Sequence, residues 1–394
     1  MDFSFTEEEQ IWRQEVREFL RNEPLETYYC EGADEGYGNG AWSNAFYRRL
    51  AEEGWIGRTW PKEYGGEGRP ITELFILLDE MAYHKAPCCA SVYTEAFAIP
   101  IVQWGGDELK KKWLPKVVRG EASLWEGYSE PDAGSDLLSL KTTAVEKDDC
   151  YVINGQKAWN SWAHLATHGY IVARTDSEAP RHEGLSLFLI DMSLRGITVR
   201  PIQEMAGGTS YAEVFFDNVK VAKENLIGGK NHGLPLLLSG LEGDRFWGRM
   251  VKASYMRRLL EEVVDYCQQT IGSNGKLLAE NPLIRSKLAE LAIEIEVCRL
   301  FSYRGLSKIG KGEPLTYEAS ELHIFANEMG QRFFNAVMQM LELYGQLERN
   351  SKWAPFNGNM EKLYLSAVGH TLAGGTTELN KNTIARFGLE LPAK

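Results

Sequence analysis

The sequence predicts an α+β protein of several domains, with a β-rich middle between two helical regions. Three observations carry this. Apolar residues recur at helical spacing up to about residue 122. Short alternating runs rich in β-branched and aromatic residues then take over, up to about residue 231. Helical spacing returns after that and persists. The expected domains are therefore 1–122, 123–231 and 232–394, in keeping with a chain of 394 residues.

In the first region, Thr6 and Glu9 stand at capping-box spacing ahead of Ile11, Trp12, Val16, Phe19 and Leu20, so a helix starts near residue 6. Tyr29 to Trp42 is Gly-rich and polar, hence a loop. Its GYGNGA string copies the letters of a dinucleotide fingerprint, but the polar EGADE before it is no strand, and the phosphate-cradle reading fails. Ser43 caps a helix to about Glu53, and the turn-rich Trp60–Gly68 connects to another over Ile71–Lys85. Cys89–Gly105 reads as one apolar helix, and Asp107 as the cap of the next.

In the middle region, Tyr151–Ile153, Asn154–Gly155 and Gln156–Trp159 read as a hairpin around a type I′ turn. Leu185–Met192, Ile197–Ile202 and Tyr211–Val221 are further strands. In the third region one long helix is expected over Leu234–Thr270. Asn281–Pro282 then opens a helix carrying Leu288, Leu291 and Ile295. Helices over 317–344 and 360–372 complete a helical bundle.

Composition narrows the function. A net charge of -12 argues against nucleic acid or an anionic membrane as principal partner, since both need clustered Lys and Arg. Six cysteines without CxxC spacing point to reduced thiols rather than a disulfide framework or a zinc site. With no membrane-length apolar run and a helix in place of a signal peptide at the start, a cytoplasmic protein is expected.

The chemistry centres on LLLSGLEGDRFWGRM, Leu236–Met250, which sets Glu242, Asp244, Arg245, Phe246 and Trp247 on one helix. Its meaning comes from five ordered strings: YSEPDAGSD at Tyr128–Asp136, INGQKAWNS at Ile153–Ser161, VARTD at Val172–Asp176, FFDNVKVAKENLIG at Phe215–Gly228 and GGTTELNKNTIAR at Gly374–Arg386. Together they resemble the acyl-CoA dehydrogenase family along essentially the whole length.

The resemblance implies a helical N-terminal domain, a β-barrel middle domain and a C-terminal four-helix bundle. It also implies one FAD per subunit in a homotetramer. The activity implied is α,β-dehydrogenation of an acyl-CoA in β-oxidation-type chemistry, with an electron-transfer flavoprotein as acceptor. It assigns flavin contact to Tyr128, Ser129, Trp159, Ser161 and Thr376, and flavin and CoA contact to Gly134 and Ser135. Gly345 and Gln346 remain from a glycine-rich string that contacts the neighbouring subunit's cofactor. That string and the family's RxxFG turn are both degraded here, so a mixed tetramer with a sister subunit stays open.

The family's commonest base is a Glu just before the Gly-Thr of the tail, where this chain has Gly374. A minority places the base on the first helix of the last domain, directly before an Arg. Asp244 before Arg245 matches that pattern, with Glu242 as the alternative base. Gly374 retains an N–H for the thioester oxygen, while Arg245 and Trp247 are expected at the substrate. Tyr93, Phe97, Trp104, Phe246 and Trp247 could line a wide pocket for a cyclic, branched or aryl-bearing acyl group. Glu95, on the same apolar run as Tyr93, reads as exposed or as a polar pocket group. The competing readings are a same-fold desulfinase or monooxygenase and a non-catalytic subunit.

Overall fold

The computed structural model describes residues 3–29, 41–87 and 89–392. The residues Gly36–Gly40 of the fingerprint-like loop therefore lie outside the described residues. Among the described residues six helices come first: α1 Glu7–Asn22, α2 Asn44–Glu52, α3 Ile71–Tyr83, α4 Cys89–Phe97, α5 Ile99–Trp104 and α6 Asp107–Val118. Thr6 caps α1 through both arms of the expected box, and Ser43 caps α2. Trp12, Val16 and Leu20 form the buried stripe of α1.

Two details differ from the sequence reading. The apolar run 89–105 is two helices, because Pro100 has no N–H to return to the turn before it. The cap of α6 is Gly106, and Asp107 lies in the first turn, where its charge suits the helix dipole.

Eight strands follow: β1 Leu124–Gly127, β2 Thr143–Glu146, β3 Cys150–Ser161, β4 His168–Arg174, β5 Leu185–Asp191, β6 Ile197–Ile202, β7 Tyr211–Ala222 and β8 Leu226–Ile227. They form one sheet in the order β6-β7-β3-β2-β4-β5-β8, with β1 added in parallel to β4. The expected hairpin at Asn154–Gly155 is absent. β3 runs straight through this dipeptide, which forms an irregularity against β7 between Ile153 and Gly155. Gly155 has φ +148°, and a Cβ there would stand 2.4 Å from Thr142 Oγ1. Asn154 is held by Asn218, whose backbone N–H donates to its side chain at 2.8 Å. Of the two positive φ angles that a type I′ turn needs, only the one at Gly155 is present, and it serves a bulge.

The last region holds α7 Gly233–Met250, α8 Lys252–Gln269, α9 Pro282–Gly310, α10 Glu318–Leu341, α11 Asn359–Gly369 and α12 Thr377–Thr383. Asn281 caps α9 by accepting from Leu283 N–H. The helix expected over 234–270 is broken at Val251. Through that break both Arg249 and Lys252 turn inward and are buried. α10 packs on α7, α8, α9 and α11, so it forms the centre of the bundle.

Candidate active site

The helix α7 meets the tail at Gly374, 130 residues downstream of Asp244 in sequence. Gly374 has φ +72°, and a Cβ built there would lie 2.9 Å from Asp244 Oδ2, 2.9 Å from His323 Cε1 and 3.3 Å from Arg249 Nη2. The Asp244 carboxylate thus stands against the space where a side chain at 374 would begin. Arg249 Nη1 lies 3.5 Å from Asp244 Oδ1, and Arg249 also donates to the backbone oxygens of Asp244 and Ala373 at 3.3 and 3.4 Å. Arg245 has another task, donating from Nε to Gly374 O at 2.8 Å. The ion partner of Asp244 is therefore Arg249, while Arg245 clamps the tail backbone to α7.

Glu242 is half-buried on another side of α7, near Arg245, Lys308 and Glu318. Burial pushes its carboxyl up to about 7. Two positions from Asp244, it points elsewhere on the helix. Trp247 is buried, with its ring edge-on to Phe246 at 5.6 Å.

A second wall comes from the sheet. Ala158 N–H donates to Ser129 O at 2.9 Å, tying the Tyr128–Ser129 segment to β3. Beneath it Lys157, fully buried, donates to Tyr128 O at 3.1 Å and Glu130 Oε1 at 2.8 Å. Glu130 also accepts the backbone N–H groups of Lys141 and Thr142. Burial works against its charge, yet Lys157 and these donors hold the carboxyl below its usual range. Burial lowers Lys157 to about 8.

A second irregularity in β3, between Lys157 and Asn160, puts Trp159 at φ +61° and leaves it 61% exposed. Its indole meets Tyr211 edge-on at 6.2 Å. Tyr211 is paired with Ser161, and Arg249 and Asp244 both act on its hydroxyl, which burial raises. Thr376 caps α12 just after Gly374, accepting from Leu379 N–H at 3.3 Å. Ser135 and Gly134 lie on an exposed loop.

These residues fit an isoalloxazine ring. An uncovered indole supplies a stacking face, and Ser161, paired with Tyr211 beside it, supplies a donor. Gln346 instead lines a cleft of about 400 Å³ with Met338, Gln339 and Tyr364, and Gly345 is buried next to it.

Two outcomes correct the sequence reading. Glu95 is 4% exposed on α4 and makes no side-chain hydrogen bond among the described residues, the backbone of Gly57 alone favouring its charge. Burial lifts it to about 8, and the neighbour its charge acts on is Tyr47. The sequence reading also missed Lys157, Glu130, Arg249, His323 and Glu126. The first two sit inside the INGQKAWNS and YSEPDAGSD strings and could have been paired. Glu126 carries no local signal.

Three family profiles match in order: acyl-CoA dehydrogenase N-terminal domain over residues 6–121, middle domain over 126–219 and C-terminal domain over 231–389. The acyl-CoA dehydrogenase FadE26 of Mycobacterium tuberculosis is 30% identical over 405 aligned residues, covering 100% of this chain and 99% of its own length. Two solved structures share the whole fold. A steroid acyl-CoA dehydrogenase, Tcur3481-Tcur3483, has TM-score 0.89 at 28% identity, with 100% of both chains covered. The ChsE4-ChsE5 complex from Mycobacterium tuberculosis has TM-score 0.86 at 28% identity, again with full coverage of both chains. The chain belongs to the acyl-CoA dehydrogenase family.

Proposed function

We propose that this enzyme desaturates an acyl-CoA thioester between its α- and β-carbons, with Asp244 as the base that takes the α-proton. The observation that carries the reading is Asp244 Oδ2 lying 2.9 Å from the side-chain origin of Gly374. The base and its alternative position in the family thus converge on one place, with the side chain supplied from α7. Asp is shorter than Glu by about 1.5 Å. Arg249, at 3.5 Å, aims the shorter side chain. Gly374 N–H donates to the thioester oxygen as it gains enolate character. Arg245 keeps that N–H in position by holding the same residue's carbonyl.

FAD, when bound, accepts the β-hydride. Tyr128, Ser129, Trp159, Ser161 and Thr376 would hold its ring, and Gly134 with Ser135 would meet the ring and the CoA. Buried Tyr93 and Phe97, in ring contact at 5.0 Å, supply an aromatic wall suited to a cyclic, branched or aryl-bearing acyl group. The name of the steroid dehydrogenase with the same fold supports a ring-bearing substrate.

The three domains are 1–122, 123–231 and 232–394, in accord with where helices give way to strands and return. The working unit is a tetramer in the cytoplasm, of identical chains or of this chain with a sister. Leu283, Leu343 and Trp353, 79%, 77% and 66% exposed, offer apolar surface for such contacts. The two-chain ChsE4-ChsE5 complex supports the mixed form. An electron-transfer flavoprotein is the expected acceptor.

The test is an anaerobic titration of the purified, yellow protein with straight, branched and cyclic acyl-CoAs, followed in the visible flavin band. Bleaching by a ring-bearing substrate, lost in Asp244→Asn with flavin retained, supports the reading. Bleaching at near wild-type rate in that variant would refute Asp244 as base. Fast reaction of the reduced flavin with oxygen would point to a monooxygenase, and a colourless protein to a non-catalytic subunit.

A further inference from the structure

A second carboxyl feels the charge of Asp244 and has no part in the mechanism above. Glu126, on β1, accepts a hydrogen bond at Oε2 from Tyr170 Oη at 3.0 Å, and Tyr170 Oη lies 2.9 Å from Tyr128 Oη. Both tyrosines are buried, at 0% and 6% exposed. The row is wedged against α7 at Gly240, where a Cβ would stand 2.2 Å from Tyr128 Oη and 3.3 Å from Tyr170 Oη. Gly240 is one helical turn before Asp244 and shares its face. Phe97 meets Tyr170 edge-on at 6.2 Å, so the row also joins the aromatic wall begun by Tyr93 and Phe97.

Desolvation, and next the charge of Asp244, push the Glu126 carboxyl well above its usual range. The acid form is favoured, and an acid has a proton to donate. Tyr170 already donates to Glu126, so the carboxyl proton is available for another acceptor. Unlike the tyrosines that hold it, Glu126 is only half-buried, and so keeps surface open to a ligand.

We propose that Glu126 is a specificity residue of the acyl pocket, donating a hydrogen bond to an oxygen, a hydroxyl or a ketone, carried by the acyl group close to the reacting carbons. This rests on the dehydrogenase reading. A plain hydrocarbon ring packed over that open surface would exclude water and leave the acid without an acceptor, and such a site discriminates against the analogue that lacks the oxygen.

The experiment uses the flavin-loaded enzyme and cyclohexanecarbonyl-CoA with its 2-, 3- and 4-hydroxy and oxo derivatives. Flavin bleaching rates and binding constants are measured for each probe. At least one oxygenated isomer is expected to exceed the plain ring by roughly tenfold in rate over binding constant. In Glu126→Leu that ratio falls to near one, while Glu126→Gln, which keeps an N–H donor, retains most of it. Tyr170→Phe lowers the ratio less than Glu126→Leu does. The proposal fails if no isomer outperforms the plain ring in the wild type, a result that needs no variant to fold. It also fails if Glu126→Leu slows every probe equally, since Glu126 would then serve Asp244 rather than the substrate. If no ring probe binds or bleaches the flavin while a straight or branched acyl-CoA does, the proposal fails and the dehydrogenase reading stands; if none of them does, the dehydrogenase reading itself is wrong.

Discussion

The two walls of the cleft are built in opposite ways. The sheet wall is assembled from short strings that carry their own anchors: Lys157 and Glu130, 27 residues apart, lock Tyr128–Ser129 to β3. The helix wall exists only where α7 meets a tail that arrives 130 residues later, and its fit depends on a missing side chain. One wall is locked by a buried ion pair within the sheet, while the other joins α7 to the tail through Arg245 and Arg249 around a bare backbone. Damage to the first should therefore cost stability and cofactor, and damage to the second should cost rate.

The largest expected effect on rate is Asp244→Asn. Loss of a positioned base removes about 10²–10⁴-fold in substrate-driven flavin reduction, measured by stopped flow, with the flavin still bound. On the sheet wall, Lys157→Met leaves Glu130 buried without its cation. A destabilisation of about 3–5 kcal/mol is expected in thermal or urea unfolding, together with loss of flavin on gel filtration. If Lys157→Met is as stable as the wild type and keeps its flavin, the contrast between the walls collapses.

A smaller effect is expected from Gly374→Ala. The new methyl would press on Asp244 and His323 at 2.9 Å from a backbone at φ +72°. The strain is about 1–3 kcal/mol, and bleaching should slow with flavin content unchanged.

Glu95 lies on neither wall and sharpens the comparison as a control. Its folded pKa, about 8, lies above the unfolded value, so folding favours the protonated form. Below the unfolded pKa both states are protonated and nothing is lost. As pH rises toward 8, the unfolded state alone ionises, and wild-type stability falls by about 1.4 kcal/mol per unit. Glu95→Gln should therefore gain stability over wild type between pH 5 and pH 8, with no change in bleaching rate. Parallel unfolding curves for the two proteins across that range would show the carboxyl to be solvated.

The same contrast explains what the sequence could tell. Capping at Thr6, Ser43 and Asn281 was legible because each bond spans two or three residues. The sheet wall was legible because its residues sit in contiguous strings. Asp244 was legible only through the absence at Gly374, and its true partner, Arg249, was hidden by the nearer Arg245. Asn154–Gly155 was misread because a bulge and a type I′ turn both favour positive φ, and only pairing with β7 decides between them. Glu126 was invisible, since Tyr170 reaches it from 44 residues away.

Gly374 has one further consequence, for descent rather than catalysis. With Asp244, His323 and Arg249 crowded around the bare backbone, a carboxylate cannot simply be restored at 374. A single substitution there would collide with Asp244, the proposed base, and a single loss of Asp244 would leave no carboxylate at that place. Moving the proton acceptor back to the tail requires at least two changes at once, each harmful alone. The arrangement works as a ratchet, and descendants of this enzyme should keep the glycine for as long as they keep the aspartate.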